Sequence, residues 1–383
     1  MNRLRSRSGV TTGILAMVGI ALLTTLTGCA GQHRRPVAEK TAKASAENAG
    51  NSALRVSRAV FDGHGHALVL AAADTVRLST NAGQSWAELR LPAAPASGQS
   101  IAVTAHQVAA LTVDSAGMAY QVSADGGRSW RRTAVPLSLP TDQANLALST
   151  DGSRVAVLAS VQGSANDGST PRLFVSSAGG PLVRRQAPAS GSIAWAGDQL
   201  LLAGGPLSSR LYTSADNGLS WTARPVGGVL APRFGLDPNT PSIGTPLVAS
   251  SIEVPVTSHA GTGSSVRFYS SSNAISFVAG VRVALTSVLG SGVSAVVSAA
   301  GPNRYLVAEP GSATLHVVSG ASQRTVLPSG LPGPVDSLSF ADAQHGLAQV
   351  TLRTCAAGKA GCSEQVEVLS TSEGGLSWSP AAG

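Results

Sequence analysis

The sequence predicts an all-β chain, a seven-bladed β-propeller of four-stranded antiparallel blades. Two observations predict it. Charged residues make up only 12% of the 383, and Gly, Ser, Ala and Val dominate. That is poor material for exposed helices and good material for short strands joined by tight turns. The second observation is an eight-residue segment that recurs with the pattern S/T-x-D/N/E-x-G-x-x-W, at intervals that suit one small sheet per repeat.

The chain begins with a segment apart from that repeat. Arg3, Arg5 and Arg7 form a positive start, and residues 10–26 are apolar but short and rich in Gly and Thr, which reads as a signal peptide over 1–29 rather than a membrane span. It ends in Leu26-Thr27-Gly28-Cys29, which resembles the bacterial lipobox. The resemblance implies cleavage before Cys29 and lipidation of its sulfur, and so a protein held to the cell membrane on its extracytoplasmic face, the membrane being a partner through the anchor. The alternative is an ordinary secretory signal with an accidental cysteine, but four positions match at the right end of the right segment. Residues 30–53, rich in Ala, Lys, Glu, Asn and Gly with no apolar period, read as a flexible tether. Residues 54–383 are left for the propeller.

Three of the 27 basic residues leave with the signal peptide, so 24 face 20 acidic ones. The remaining arginines do not cluster with aromatics as a nucleic-acid groove requires, so no nucleic-acid partner is expected.

Four segments carry the repeat without gaps: Ser79-x-Asn81-x-Gly83-x-x-Trp86, Ser123-x-Asp125-x-Gly127-x-x-Trp130, Ser214-x-Asp216-x-Gly218-x-x-Trp221 and Thr371-x-Glu373-x-Gly375-x-x-Trp378. They use four of the five tryptophans. The acid or amide can accept backbone N–H groups across its own turn. The glycine permits φ > 0 where the chain reverses. The indole is expected to cover the apolar base of the hairpin, burying roughly 200 Å². The pattern resembles the Asp-box, or BNR repeat, of sialidases, sortilin-type receptors and photosystem-II assembly factors. In those families it is the turn between the third and fourth strands of a blade and lies away from the active site, which implies structural rather than catalytic roles here.

Degenerate copies fill the gaps, led by Ser176, Ser270 and Ser319 and closed by Val183, Phe277 and Val326. Leading positions at 79, 123, 176, 214, 270, 319 and 371 give seven boxes, hence the seven expected blades. Strands can be read upstream of the boxes at 58–61 and 67–72, at 193–195 and 199–203, and at 335–340 and 346–352. The first two strands of the fifth blade are blurred by the Pro-rich stretch 225–255. Residues 53–57 alternate apolar and polar, and are expected to pair beside the last blade and join the ends of the ring.

Cys355 and Cys362, seven apart in a small flexible loop of an exported chain, are expected to form a disulfide. A metal would need two more ligands, and none lies beside them. His64 and His66 alternate as a metal pair would, but sit in a Gly-rich hairpin turn. No cofactor is expected.

The long insertions, 161–171, 257–265, 353–364 and 225–245, all fall on the face opposite the boxes, which marks that face for binding. Catalysis has little to draw on. The Arg-Ile-Pro motif of sialidases is missing, and glycoside cleavage needs two carboxylates across a cleft. Asp62, Asp151, Asp198 and Asp342 fall in first turns, leaving Glu253 and Glu309 as the eligible pair. The expected function is therefore a monomeric, non-catalytic binding or scaffold module for an envelope protein or glycan, and the alternative is a sialidase-like glycoside hydrolase.

Overall fold

The computed structural model describes residues 59–381, apart from 63–64, 73, 99, 138–140, 163–168, 178, 205–209, 227–240, 249, 261–262, 290–292 and 356–361. The expected signal segment, Cys29, the expected tether, the expected closing strand at 53–57 and His64 lie outside the described residues.

Every described strand is antiparallel to its sheet neighbours, and the strands fall into seven sheets in chain order. The first is Ala59–Phe61, Ala67–Ala72, Thr75–Ser79 and Ala87–Arg90. The third is Thr141–Leu148, Arg154–Gln162, Ser169–Ser177 and Val183–Arg185. The fourth is Ile193–Ala196, Gln199–Ala203, Arg210–Ser214 and Thr222–Pro225. The sixth is Val296–Ala299, Arg304–Ala308, Leu315–Ser319 and Ser322–Val326. The seventh is Val335–Phe340, Gly346–Cys355, Cys362–Thr371 and Ser379–Pro380.

The second and fifth sheets correct the expectation of uniform four-stranded blades, because each has five strands. In the second, Ala94–Pro95 and Ile101–Val103 both pair with Val108–Asp114, followed by Gly117–Ser123 and Arg131–Ala134. In the fifth, Ser242–Ile243 and Leu247–Val248 both pair with Ile252–Ala260, followed by Gly263–Ser271 and Val278–Ala284. The first strand is broken in both, and the breaks have local causes. Gly98 has φ +92, and a Cβ there would stand 2.7 Å from the Ala144 carbonyl of the third sheet. Only a glycine lets the neighbouring sheet approach so closely. In the fifth sheet the break spans Gly244, Thr245 and Pro246, and proline has no N–H for the ladder.

The core is divided among the sheet interfaces. Val76, Leu91, Ile101 and Val108 fill the contact between first and second sheets. Tyr120, Leu146, Val157 and Phe174 fill the next. Leu306, Leu315, Val335 and Phe340 join sixth to seventh. Ala67 and Val69 of the first sheet pack on Leu347 of the seventh, and the Phe61 N–H donates to Ser339 Oγ at 2.9 Å. Alternating strands with one face on each neighbour explain the near-continuous apolar runs of inner strands such as Leu200 to Ala203.

The described residues of three of the expected insertions extend the second and third strands of their sheets. The second and third strands are nine residues each in the third and fifth sheets and ten in the seventh, against five to seven elsewhere. In the fifth sheet the ladder runs on until Ala260 faces Gly263, and in the seventh until Cys355 faces Cys362.

Candidate functional site

The four full repeats lie between third and fourth strands, and in each the leading hydroxyl accepts the glycine N–H. In the second sheet Ser123 Oγ donates to Asp125 Oδ1 at 2.7 Å and accepts from the Gly127 N–H at 2.7 Å. Asp125 in turn accepts from the Ser129 N–H at 2.9 Å and its hydroxyl at 2.6 Å. Asp216 is held the same way by Ser220 and Ser214. The Ser220 hydroxyl and amide, then the Ser214 hydroxyl, bring the Asp216 carboxyl down to about 2. Asn81 accepts from the Ser79 hydroxyl and the Ser85 N–H, so an amide serves where no charge is needed. Glu373, one methylene longer, reaches the Ser377 hydroxyl at 2.6 Å.

The glycine and tryptophan of each repeat act between sheets. Gly83, Gly127, Gly218 and Gly375 all have φ between +78 and +88. A Cβ on Gly127 would stand 2.9 Å from Leu89, one on Gly218 3.1 Å from Leu173, and one on Gly375 2.6 Å from Leu306, each in the preceding sheet. The indoles wedge into the same seam. Trp130 packs on the cluster shared with the first sheet, Trp221 on that shared with the third, and Trp378 on that shared with the sixth, while Trp86 packs on the cluster shared with the seventh.

Two degenerate copies are corrected. In the fifth sheet the leading residue is Ser271, not Ser270: Ser271 Oγ donates to Asn273 Oδ1 at 3.2 Å, and Asn273 accepts the Ser276 N–H at 3.2 Å. After Ser319 the chain turns in two residues, with Ser319 opposite Ser322 and Gly320 at φ +57, too tight for an eight-residue box. Ser176, by contrast, does lead a third-to-fourth turn, donating to the Gly180 carbonyl at 2.6 Å.

The carboxylates eligible for catalysis are taken up internally. Glu253, on the second strand of the fifth sheet, accepts the Ser251 and Ser270 hydroxyls at 2.9 and 2.6 Å. Glu309 follows the second strand of the sixth sheet and is 1% exposed. It accepts the Thr286 amide and hydroxyl, both at 2.6 Å, and His316 Nε2 at 2.6 Å. Burial pushes its carboxyl up, and the hydrogen bonds from Thr286, His316 and Ser287 outweigh that and leave it lowered. The two side chains sit in different sheets with separate partners, not across one cleft. His66 is bound to Asp62, Nδ1 to Oδ2 at 2.7 Å, and among the described residues no three metal-ligating side chains converge.

Among the described residues, a cavity of about 290 Å³ opens between the second and third sheets. It lies at the end bearing the repeats, not the end bearing the long hairpins. Its floor is Tyr120, Val155 and Leu182, all within the interface cluster. Burial pushes the Tyr120 phenol well up, partly offset by Arg131. The rim carries Gln107 from a first turn, Arg131 and Thr133 from the fourth strand of the second sheet, and the turn residues Gly152 and Gly179 of the third. Sequence reasoning missed this site, because its residues come from four separate strands and three turns of two sheets.

A family model described as the DUF6242 beta propeller domain matches residues 37–235. This match corrects the blade number counted from the boxes, supporting six four-stranded blades, not seven. The family's blades and the seven sheets of this chain thus differ by one, and the all-β propeller is what both share. No curated protein matches the chain by sequence. Among solved structures it is similar to YCF48 bound to D1 peptide, at 11% identity and a TM-score of 0.49 over 76% of this chain and 87% of that one. It is similar also to YCF48 from Cyanidioschyzon merolae, at 13% identity and 0.45 over 75% and 86%. A GH74 xyloglucanase from Xanthomonas campestris follows, at 14% and 0.47 over 75% of this chain and 45% of that one.

Proposed function

The chain belongs to the DUF6242 β-propeller family, and on that premise we propose that it is a membrane-tethered, extracytoplasmic binding module that holds its ligand without transforming it. One observation carries this reading. The described carboxylates singled out for chemistry are consumed in turns and buried hydrogen bonds, while a cavity with an arginine that pairs with no carboxylate among the described residues opens between two sheets. A hydrolase needs an acid and a second carboxylate facing one substrate. A binding site needs a concave, partly apolar surface with a few placed polar groups. The lipobox-like Leu26-Thr27-Gly28-Cys29 supports the tether, and the turns that match the Asp-box scheme support a scaffold built for rigidity.

The test is incubation of the purified full chain in detergent with a panel of envelope glycans. Retention without released reducing ends is the expected result. Time-dependent release of free sugar would overturn the proposal in favour of a sialidase-like hydrolase.

A further inference from the structure

Resting on the reading of the chain as a binding module, we propose that the cavity between the second and third sheets takes a small organic acid, its carboxylate on Arg131 and its apolar body on Tyr120, Val155 and Leu182. Arg131 is the only charged residue lining the cavity among the described residues. The next residue, Arg132, is paired to Asp114 at 3.4 Å, and Arg154 is paired to Asp198. Arg131 lines the cavity with no such partner among the described residues, which leaves its guanidinium donors open to a ligand.

The third sheet is shaped around this donor. The guanidinium lies against Gly179, with Nη1 and Nη2 3.2 and 3.4 Å from where a Cβ would stand, and φ there is +72. The backbone conformation there disfavours any side chain, and a bare Cα lets the guanidinium lie close. Across the mouth, the Gln107 amide fills the place of a side chain on Gly152, its Nε2 1.8 Å from a would-be Cβ at φ +70. Two donors from the second sheet are thus seated on bare backbone of the third.

The neighbouring hydroxyls are already committed. Ser153 Oγ donates to Asp151 at 2.8 Å, and Ser176 Oγ donates to the Gly180 carbonyl at 2.6 Å. Recognition falls to Arg131, Gln107 and Thr133 above an apolar floor. A planar guanidinium matches a carboxylate in bidentate fashion, and a floor of phenol and aliphatic groups asks for a body that gains by leaving water. About 290 Å³ sits at the small end of ligand cavities.

The experiment is calorimetric titration of the detergent-solubilised full chain with sodium benzoate, benzyl alcohol and inorganic phosphate, on wild type, Arg131→Gln, Arg131→Lys and Arg132→Gln. The expected result is benzoate binding that weakens about tenfold or more in Arg131→Gln, less in Arg131→Lys, and not at all in Arg132→Gln. Benzyl alcohol, which keeps the body and lacks the charge, is expected to bind at least about tenfold more weakly than benzoate. Any of four results overturns the assignment: no benzoate binding to wild type, equal binding of benzyl alcohol, benzoate binding indifferent to Arg131→Gln, or phosphate binding as tightly through Arg131. Arg131 is exposed on an outer strand, and unchanged melting of Arg131→Gln checks that the fold persists. Sugar release by the same preparation would strike the binding-module reading instead, so the two failures are separable.

Discussion

Glu309 and His316 meet at 2.6 Å with both side chains 1% exposed. Thr286 and Ser287 complete the carboxylate, and Thr325 Oγ1 stands 3.0 Å from His316 Nδ1. The network fits a proton on Nε2 pointing at Glu309, with Nδ1 accepting from Thr325. Thr286 and Ser287 belong to the crossover from the fifth sheet, so the carboxylate staples that crossover to the sixth.

Removing it leaves buried donors unpaired. Glu309→Ala is expected to cost roughly 3–5 kcal/mol, as breaking one side of a buried pair does. The folded protein holds the Glu309 carboxyl below its ordinary 4.5. Its contribution is therefore fully present above that pH and lost as the pH falls through the lowered value. Urea unfolding at pH 7 and pH 3 checks this: the difference between wild type and Glu309→Ala should shrink at the lower pH.

Gly375 and Trp378 test the seam between sheets. Gly375→Ala puts a methyl 2.6 Å from Leu306 at φ +88, so strain and overpacking act together and the expected loss is roughly 1–3 kcal/mol. Trp378→Ala removes a side chain that is 6% exposed and set edge-on to Phe340, with an expected loss of roughly 3–5 kcal/mol. Trp86 and Trp130 are only half-buried, so their alanine variants should melt above Trp378→Ala. A melting series that ranks the three in reverse order would break the wedge account.

Much of this was legible where one short segment carries its own hydrogen bonds. Ser123, Asp125 and Gly127 close their turn without help, so the pattern alone located it, and strands such as Ala67–Ala72 and Val335–Phe340 follow from the apolar runs beside such turns. The register of the fifth repeat was lost because three serines, Ser270 to Ser272, compete for the lead. Asn273, the residue that accepts the turn's N–H groups, was the signal that decides it. The broken first strands depend on Ala144 approaching Gly98, a contact between sheets that local sequence does not carry. The cavity was invisible for the same reason. Arg131 directly follows Trp130, and nothing in that pair tells which side faces Gly179.

Cys355 and Cys362 stand opposite each other at the end of the longest ladder, one step beyond Thr354–Ser363 and two beyond the Arg353–Glu364 ion pair at 2.8 Å. Directly opposed residues in an antiparallel ladder have Cα atoms about 4.5–5.5 Å apart, inside the range a disulfide spans. We expect the exported protein to carry this bond. Mass spectrometry of the non-reduced chain should show a single cross-linked peptide spanning 355–362, and two free thiols after export through an oxidising compartment would refute it. The bond closes a loop of few residues, so its removal in Cys355→Ser should lower stability by at most ~2–3 kcal/mol.

The anchor is the last expectation that a single substitution decides. Leu26-Thr27-Gly28 sets small and apolar residues before Cys29 at the end of an apolar stretch, and lipidation needs the thiol itself. Cys29→Ser keeps size and polarity but removes the nucleophile, so neither acyl transfer nor the cleavage that depends on it should follow. The expected outcome is a chain that either stays unprocessed or is released into the soluble fraction, whereas wild type partitions into the detergent phase. Metabolic labelling with a palmitate analogue separates these cases: wild type should take the label and Cys29→Ser should not. Two or three acyl chains hold far more firmly than one, so salt washing should leave wild type on the membrane. A Cys29→Ser chain that is still cleaved and still enters the detergent phase would mean that residues 10–26, or the propeller itself, hold the membrane without a lipid.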